Sequence, residues 1–571
     1  RKYNPEDWSD YAFQTAIRKE YNISMSGGSS KTTYYTSIGY LKDEGYSLNT
    51  GFERYTGRLN LGYQPKSWLK GDFNLSYAHT QTRANGQSRD SKSLFWFTDN
   101  IPSIYPLFLR DKNGNKVPDP YYGGYQYDFG ENRGFSSLAN AVAQATYDKN
   151  NRTRNNIIGN VFLRAEITKG LTFETRLGGE YSNNAYNDYT NPYYGDSAGE
   201  KGSLDKSRYE LLNYTFLQML RYVHQFGSHN LQAFVAHEST TFDYSTLYAS
   251  KSGLVDPKGT ELNNAIKMTR LGSYLYNYRM ESYFSQLLYD YRSKYLFSGT
   301  IRRDGSSRFL NDKWGTFASA GLGWVVSKEN FLKEKEWFPY FKLKTSYGTV
   351  GDQSVDSEGG NVSYYPGYDV YNFDNFMGLP GAVFERIGYP SLTWEKSRIF
   401  QVGAEFTFLK SRAIDLQVDY YHKTTDNLIF DSRLAPSTGN GIWKVNDGKL
   451  INRGFEFNLQ AHLVKTTDWR VDVGVNGEML TNKLTQMPYD KSIQREKILD
   501  ISGIFGRSKN HSLFDIYTRE YRGVNSKQVL PNGQCTMLIT ITTMCLIAVM
   551  RQFPHCANTK SYILMPILRK G

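Results

Sequence analysis

Tyrosine-rich segments are the parts of this sequence whose residue types best fit recognition of a ligand. They read PYYGGYQYDFG, NPYYGDS and SYYPGYDVY, and each places aromatic rings beside glycines. A tyrosine ring offers a flat apolar face with a hydrogen-bonding tip, which suits a sugar ring and serves a peptide equally well. Packing of the rings within the loops is the alternative interpretation. The residues for which we predict ligand contact are Tyr121, Tyr122, Tyr125, Tyr127, Tyr193, Tyr194, Tyr364, Tyr365 and Tyr368.

Metal-binding and phosphate-binding motifs do not occur in the sequence. It contains no H-E-x-x-H or G-x-x-x-x-G-K motif, and its eight histidines do not cluster at ligand spacing. The pattern G-x-S-x-G occurs once, as GDSAG at 195–199, but it lies in a predicted loop and not between a strand and a helix. The segment DKNGNKVPD, with Asp111, Asn113 and Asn115, resembles a calcium loop. Its glycine is fourth rather than sixth and no acid stands at position twelve, so we predict a polar turn. We therefore predict no enzymatic activity, no cofactor and no metal.

The charge and hydropathy of the chain exclude two further classes of protein. The net charge is +12, but five of the basic residues lie after residue 526, where there is no acid. The remaining excess is spread thinly, so we expect no nucleic-acid partner. The mean hydropathy is −0.58, and up to residue 526 no apolar run approaches the ~20 residues of a membrane-spanning helix.

The spacing of apolar residues predicts the elements that must carry these tyrosines. Apolar and polar residues alternate over 58–77, 160–181 and 401–420, each time around a short turn. We expect about sixteen such strands before residue 490, many of about 9–14 residues, and a transmembrane β-strand needs about 9–11. Long loops are predicted at 81–152, 182–206, 241–275 and 352–393. Short turns alternating with long loops favour an all-β, antiparallel transmembrane β-barrel over a soluble sandwich or propeller.

Several longer motifs resemble those of the SusC/RagA family of TonB-dependent outer-membrane transporters. The strongest is SYFSQLLYDYRSKYLFSGTIRRDGSSRF followed by WGTFASAGLGW and SKENFL, and the resemblance extends from about Trp8 to Ser526. The other matching segments are Asn22–Tyr46, Phe341–Gln353, Tyr389–Ser397, Val418–Ile429 and Asn452–Phe457. Within these motifs we single out Arg302, Arg303, Asp304, Gly305, Arg308, Trp324 and Trp394. We predict an ion-pair cluster at the barrel rim and girdle or rim tryptophans; substrate or partner contact by the arginines is the alternative.

The family resemblance implies a fold and a function. Members form 22-stranded barrels closed by an N-terminal plug, work with a SusD-like surface lipoprotein and are energised through a TonB box. Typical cargoes are oligosaccharides, and peptides for some members. We expect residues 1–526 to form about 16–18 of these strands, without the plug or the TonB box, and to be inactive alone. The expected location is the bacterial outer membrane; the alternatives are a structural or adhesive barrel and a passive porin-like channel.

Residues 527–571 differ from everything before them. They include the uncharged run TMLITITTMCLIAVM and all three cysteines, Cys535, Cys545 and Cys556. In the family, the segment matching REYRGVNS continues E-T-G-x-x-x-W, whereas this chain continues KQVLPNGQCTM. Back-translation with permitted codons restores E-T-G-A-A-Q-W in another frame. We hypothesise a single-base loss near the codon for Lys527 and predict that 527–571 is an out-of-frame tail, poorly packed and not a domain.

Overall fold

Long strands dominate the computed structural model. It describes residues 6–525 and the backbone of 530–538 and 547–552, with gaps at 86–92, 132, 196, 334, 356–362, 434–436, 438–441, 491–493 and 503–504. Side chains are described up to residue 516, apart from those of residues 432, 433, 442 and 502. Helices are few and short: α1 (Ser9–Ala12), α2 (Leu94–Asn100) and α3 (Ala141–Tyr147), with single 3₁₀ turns at Ala198–Glu200, Leu262–Asn264 and Val326–Lys328. No helix of the described residues has the length and hydropathy needed to cross a membrane.

The strands are β1 (Arg18–Gly28), β2 (Thr32–Glu44), β3 (Thr50–Lys66), β4 (Leu69–Ala84), β5 (Lys149–Thr168), β6 (Leu171–Thr190), β7 (Ser203–Phe226), β8 (His229–Leu254), β9 (Ala265–Tyr291), β10 (Tyr295–Ser306), β11 (Trp314–Val325), β12 (Tyr340–Asp352), β13 (Val370–Phe376), β14 (Leu379–Arg386), β15 (Glu395–Phe408), β16 (Ile414–Arg433), β17 (Ile442–Lys465), β18 (Arg470–Gln486), β19 (Tyr489–Asp490), β20 (Arg495–Glu496), β21 (Leu499–Ser502), β22 (Phe505–Ser508), β23 (Ile516–Asn525), β24 (Leu530–Leu538) and β25 (Ile547–Gln552). In the described part of the chain before residue 490, sixteen of these strands, β1–β12 and β15–β18, have eleven residues or more. This agrees with the number of long strands expected from the sequence.

Two compact units divide the chain. The first comprises residues 1–166, 174–217 and 240–278, and the second comprises 167–173, 218–239 and 279–571. In the first unit, β1 to β5 pair in chain order and antiparallel. In the second, β9 to β12 and then β15 to β18 pair in the same manner. Strands β13 and β14 form a separate hairpin between β12 and β15.

The connections differ between the two ends of the strands. At the short-turn end they have two to five residues, at 29–31, 67–68, 169–170, 227–228, 292–294, 409–413 and 466–469, with a longer connection at 326–339. The long-loop end carries 85–148, 191–202, 255–264 and 353–394. Gly170, with φ at +81°, makes the tight two-residue turn after β5 possible.

Two of the sequence predictions about connections are wrong. The pair Gly27-Gly28 stands between two alternating runs of residues and so predicts a hairpin turn, but both glycines lie in β1 and the turn is at 29–31. The predicted loop 241–275 is mostly strand, because β8 and β9 continue through it and leave only 255–264 unpaired. A strand that does not face lipid has no need of alternating apolar residues. Backbone pairing and β-forming residues such as tyrosine and threonine are sufficient, so the apolar pattern did not reveal these strands.

The register separates an apolar face from a polar face in each unit. In β12 and β15–β18, one row places Thr345, Val402, Tyr420, Phe455 and Met479 side by side. The adjacent row, displaced by one residue along each strand, lies on the opposite face of the sheet. It consists of Lys344, Gly403, Asp419, Glu456 and Glu478. Directly opposed residues share a face, so polar side chains collect on one side of the sheet.

An aromatic ladder runs across the apolar face of β1–β4. Tyr21, Tyr40, Tyr55 and His79 lie in one row. The distances between the ring centroids of neighbours in this row are 6.4 Å for the first pair, 5.0 Å for the second and 6.2 Å for the third. Amphipathic rings in a row near the strand ends are typical of the interfacial girdle of a membrane barrel.

Strands β24 and β25 lie within the predicted out-of-frame tail. The backbone of β24 pairs with β23, and that of β25 pairs with β18 over Val471–Asn476. The side chains of this stretch, including the three cysteines, fall outside the described residues. The frame hypothesis concerns the nucleotide sequence and stays a prediction.

Candidate functional site

A tight turn at residues 119–123 presents the first pair of predicted tyrosines. Asp119 Oδ1 accepts hydrogen bonds from the backbone N–H groups of Tyr121 at 2.8 Å and Tyr122 at 3.0 Å. Gly123 follows with φ at +79°, a conformation that glycine adopts without strain. An aspartate that binds the backbone two and three residues ahead fixes the direction of both tyrosines.

The second predicted pair sits on an equivalent turn at residues 191–195. Asn191 Oδ1 accepts from the N–H groups of Tyr193 at 3.2 Å and Tyr194 at 2.9 Å, and Gly195 has φ at +81°. Both turns therefore read Asp or Asn, then P-Y-Y-G, with the same internal hydrogen bonds. We call 119–123 and 191–195 the twin turns.

The twin turns pack their tyrosines against one another. The rings of Tyr121 and Tyr193 are nearly parallel, with centroids 3.8 Å apart and planes 6° apart. Tyr122 stacks on Tyr147 of α3 at 4.1 Å, and Tyr194 lies edge-on to Tyr121 at 5.9 Å. We call these five residues the tyrosine cluster.

Asp119 also anchors the hydroxyl ends of the cluster. Its Oδ2 accepts from the Tyr147 hydroxyl and its Oδ1 from the Tyr194 hydroxyl, each at 2.9 Å. Burial pushes the pKa of Asp119 upward, but the hydrogen bonds from Tyr121, Tyr122, Tyr147 and Tyr194 outweigh it and hold the pKa below its ordinary value. Burial and the adjacent carboxylate raise the pKa of both Tyr147 and Tyr194. The cluster is thus a neutral aromatic surface built around one buried carboxylate.

Part of this surface faces solvent. Tyr121 is 56% exposed and Tyr122 is 39% exposed, whereas Asp119 is only 6% exposed. Tyr193 and Tyr194 are half-buried. One face of Tyr121 is covered by Tyr193, so its accessible apolar area is held rigidly and costs little entropy to use.

The remaining predicted tyrosines of this segment form a neighbouring group. Tyr127 stacks on Phe108 at 4.9 Å, and Tyr125 lies 6.1 Å from the same ring. The ammonium of Lys116 lies 4.4 Å from the Phe108 centroid and 5.4 Å from that of Tyr125. Tyr127 also touches Tyr147 at 5.6 Å, so the group is continuous with the tyrosine cluster.

A small apolar core holds the long segment 85–148 in place. Asn140, fully buried, caps α3 by accepting from Ala143 N–H at 3.0 Å and donates to the Leu107 and Asp128 carbonyls. Its amide therefore ties the helix to the segment that leads to the first twin turn. The apolar core comprises Trp8, Ala12, Leu94, Phe97, Ile101, Leu107, Ala139, Ala141, Val142 and Ala145.

The third predicted tyrosine group lies in the second unit. Tyr365 and Tyr368 are in edge contact at 6.5 Å, with their planes 80° apart, and Tyr368 is 43% exposed. The guanidinium of Arg308 lies 5.4 Å from the Tyr364 ring centroid and is itself buried. The contact between Tyr365 and Tyr368 is therefore edge-to-face, whereas Tyr121 and Tyr193 are stacked.

The arginine motif of β10 forms an ion-pair network. Arg302 binds Asp304 at 2.6 Å and Glu238 at 3.0 Å, and it donates to Ser282 Oγ at 2.9 Å. Its guanidinium also lies 4.6 Å from the Phe284 ring centroid. With its donors engaged, Arg302 acts as a cross-strand tie in the sheet.

Three further motif residues have packing roles. Arg303 lies 5.3 Å from the Trp314 ring centroid, and Trp314 faces Gly305 across the strand pair. A Cβ at Gly305 would lie 3.0 Å from that ring, so glycine permits the tryptophan to lie flat. Trp394 donates to the Lys313 carbonyl at 3.0 Å and is 7% exposed, so it is a buried residue and not part of a girdle.

Trp324 lies near the short-turn end and is 36% exposed. Its Nε1 donates to Glu329 Oε1 at 3.0 Å, and Tyr295 and Lys294 bind the same carboxylate at 2.7 and 2.9 Å. These hydrogen bonds lower the pKa of Glu329 to about 2. The arrangement ties the 326–339 connection to β10 and β11.

Within the described residues, no group of three or more His, Cys, Asp or Glu side chains could hold a metal ion. Sequence reasoning missed Asp119, Asn191 and Tyr147, which create the cluster. The repeated pattern of Asp or Asn followed by P-Y-Y-G was the available signal for the first two, because proline and an Asx residue together predict a turn.

Comparison with known proteins identifies the family. The family model "TonB dependent receptor-like, beta-barrel" matches residues 105–500. TonB-dependent receptor SusC of Bacteroides thetaiotaomicron is 28% identical over 511 residues, covering 84% of this chain and 48% of SusC. TonB-dependent receptor P3 of Formosa agariphila is 26% identical over 543 residues, covering 93% of this chain and 52% of P3. The chain thus spans about half the length of the curated relatives it matches.

Solved structures share the fold. The RagAB peptide importer in the "open-open" state superposes with a TM-score of 0.79 at 23% identity, covering 98% of this chain and 62% of that one. The outer membrane transporter YddB from Escherichia coli superposes with a TM-score of 0.55 at 10% identity, covering 94% of this chain and 69% of that one. The expected fold class, an antiparallel transmembrane β-barrel, and the expected outer-membrane location are confirmed. The chain belongs to the TonB-dependent receptor β-barrel family; it is similar in sequence to SusC and shares its fold with the RagAB structures.

Proposed function

We propose that the whole protein imports oligosaccharides or peptides across the outer membrane, as the barrel partner of a SusD-like surface lipoprotein and with energy supplied through TonB. Family membership supports the transport class. The similarity to SusC and the fold of the RagAB peptide importer support nutrient uptake. The plug and the TonB box are part of this proposal.

The tyrosine cluster is the observation that carries the proposal for cargo recognition. It lies at the long-loop end, which in an outer-membrane barrel is the extracellular end. Tyr121 offers an exposed, rigidly backed ring, and Asp119 orients the hydroxyl groups of Tyr147 and Tyr194. Such a surface matches the alternating apolar and hydroxylated faces of a sugar chain.

Oligosaccharide is the cargo that the cluster favours over peptide. Its rings are neutral, and the one carboxylate beneath them is buried and fully engaged with four donors. A peptide-binding surface would gain from free donors and acceptors along an extended backbone. The described rings of the cluster present apolar faces instead.

The test uses the full-length receptor from its native locus together with its lipoprotein. Binding of defined neutral oligosaccharides and of mixed peptides is measured by calorimetry, and uptake of the bound class is measured in cells with and without TonB. We expect oligosaccharide binding and TonB-dependent uptake. TonB-independent uptake would indicate a passive channel, and binding of neither class would indicate a structural or adhesive barrel; either result overturns the proposal.

A further inference from the structure

Basic side chains gather on the apolar face of β15–β18, close to the long-loop end. The register fixes which residues share this face, because Val402, Tyr420, Phe455 and Met479 form one of its rows. These four side chains are 43%, 38%, 42% and 54% exposed, as expected where membrane lipid covers them. The rows beyond them toward the long loops carry the charges.

The first of these rows contains Phe400, His422, Arg453 and Thr481. The next row contains Arg398, Thr424, Ile451 and Lys483. Each step of two residues along a strand advances about 6.6 Å, so three cations follow the apolar rows within two steps.

The charges on this face are almost all of one sign. Asp426 is the acid there, and it pairs with Arg398 and, at 3.4 Å, with Lys449. In the part of the chain that the structure describes, Arg453 and Lys483 make no ion pair and both are exposed. On the polar face of the same strands, by contrast, Asp419, Glu456 and Glu478 stand side by side. The separation of cations from carboxylates therefore follows the two faces of the sheet.

An arginine or lysine on the lipid-facing side of a barrel strand is tolerated best near the membrane interface, where its charge can reach an anionic headgroup. A guanidinium binds a phosphate through two parallel hydrogen bonds, which makes arginine well suited to such a headgroup. A free phosphate ion would use the cations alone. A phosphorylated lipid would also cover Val402, Phe455 and Met479, so the adjoining apolar rows favour the lipid.

We propose that the face formed by Arg398, Arg453 and Lys483, with the apolar row below them, binds the phosphorylated headgroup of a glycolipid in the outer leaflet of the membrane. The phosphate contacts the three cations, and the acyl chains lie along Val402, Tyr420, Phe455 and Met479. This site is independent of cargo recognition, because it uses the outside of the barrel and residues of the second unit only. Its failure would leave the import proposal untouched.

The test is native mass spectrometry of the detergent-solubilised full chain, titrated with bisphosphorylated lipid A. Arms with dephosphorylated lipid A and with inorganic phosphate separate the lipid from the ion. The variant R398A/R453A/K483A removes three positive charges at the site. We expect its affinity for bisphosphorylated lipid A to fall on the order of a hundredfold, since each cation near an anionic surface contributes about 1 kcal/mol.

A matched control removes the same charge at the short-turn end. Lys410, Arg412 and Lys465 are exposed there, and K410A/R412A/K465A should bind lipid A as the unaltered chain does. The variant R398K/R453K keeps the charge and should lose only a few-fold, which guards against a triple variant that does not fold. Equal losses in both triple variants, equal binding by all of them, or affinity unchanged by dephosphorylation would each overturn the proposal.

Discussion

Two long-loop regions of the molecule use aromatic residues in opposite ways. In the first, comprising 85–148 and 191–202, the tyrosines are locked by hydrogen bonds to Asp119 and Asn191 and remain partly exposed. In the second, 353–394, the exposure of the described aromatic residues ranges from deeply buried to almost fully exposed. Tyr389 and Trp394 are 2% and 7% exposed, whereas Phe373 at the β13–β14 hairpin is 90% exposed.

The difference shows that exposed rings alone do not make a binding surface. A ring that is backed by another ring and oriented by a carboxylate has lost its freedom before a ligand arrives, so binding costs little further entropy. A ring at a hairpin tip retains its freedom and must lose it on contact. We therefore expect cargo contact from the first region and a mainly structural role for the base of the second.

The largest effect should follow from removing the buried anchor of the second region. Trp394→Ala removes contacts with Phe309 and Phe317, whose ring centroids lie 5.6 Å away, and the hydrogen bond to Lys313. We expect a local stability loss of about 3–5 kcal/mol, read as faster hydrogen exchange over 363–394. Trp324→Ala, at a more exposed position, is the control. Equal effects of the two substitutions would contradict the buried role of Trp394.

The next effect concerns the carboxylate of the first region. Asp119→Ala leaves buried donors of four residues without an acceptor, and we expect the twin turns to lose about 2–3 kcal/mol of protection against hydrogen exchange. Asp119→Asn keeps one acceptor oxygen and should lose less. If exchange at 119–123 and 191–195 is unchanged in Asp119→Ala, the tyrosine cluster does not depend on this residue.

The same carboxylate predicts a pH dependence. Because the pKa of Asp119 is lowered on folding, its contribution is fully present above the ordinary carboxyl pKa of about 3.9 and is lost as the pH falls through the folded value. Hydrogen exchange, corrected for its intrinsic pH dependence, should show the twin turns opening below about pH 4. This opening should be absent in Asp119→Asn, and an acid transition that persists there would assign it to another group.

A smaller effect is expected on cargo binding. Tyr121→Ala removes the exposed ring that Tyr193 backs, and we expect oligosaccharide affinity of the full-length receptor to fall roughly fivefold, about 1 kcal/mol. Tyr368→Ala in the second region removes an exposed ring without a stacked partner and should change the affinity less. A larger loss from Tyr368→Ala would reverse the assignment of the two regions.

The smallest effect should come from the hairpin tip. Phe373 and Met377 are 90% and 89% exposed. We therefore expect F373S/M377S to change the free energy of unfolding by no more than about 0.5 kcal/mol, measured as a small shift in the midpoint of thermal unfolding. A matched substitution at the base, Tyr389→Ser, should destabilise strongly. Destabilisation by the tip variant would show that these side chains pack against something in solution.

Sequence reasoning was most reliable where local chemistry decides the outcome. The alternation of apolar and polar residues predicted the long strands. The short turn predicted between β5 and β6 is present at Lys169-Gly170, where Gly170 adopts the positive φ that the turn requires. Sequence reasoning failed at 241–275, because pairing between β-forming polar residues leaves no apolar period to detect. It also could not bring Tyr121 to Tyr193 or Tyr147 to Asp119, because these contacts join segments separated by connections and helices whose paths depend on tertiary packing. Motif order, in contrast, was sufficient for the family.

The polar row of Lys344, Asp419, Glu456 and Glu478 has a consequence for permeation. This row contains three carboxylates and one ammonium group. The ammonium, that of Lys344, forms an ion pair with Asp419 at 3.0 Å. Along these strands the lumen therefore carries a negative field, which attracts cations and repels anions. A cation close to this row is therefore stabilised and an anion is destabilised, whereas a neutral sugar experiences neither effect.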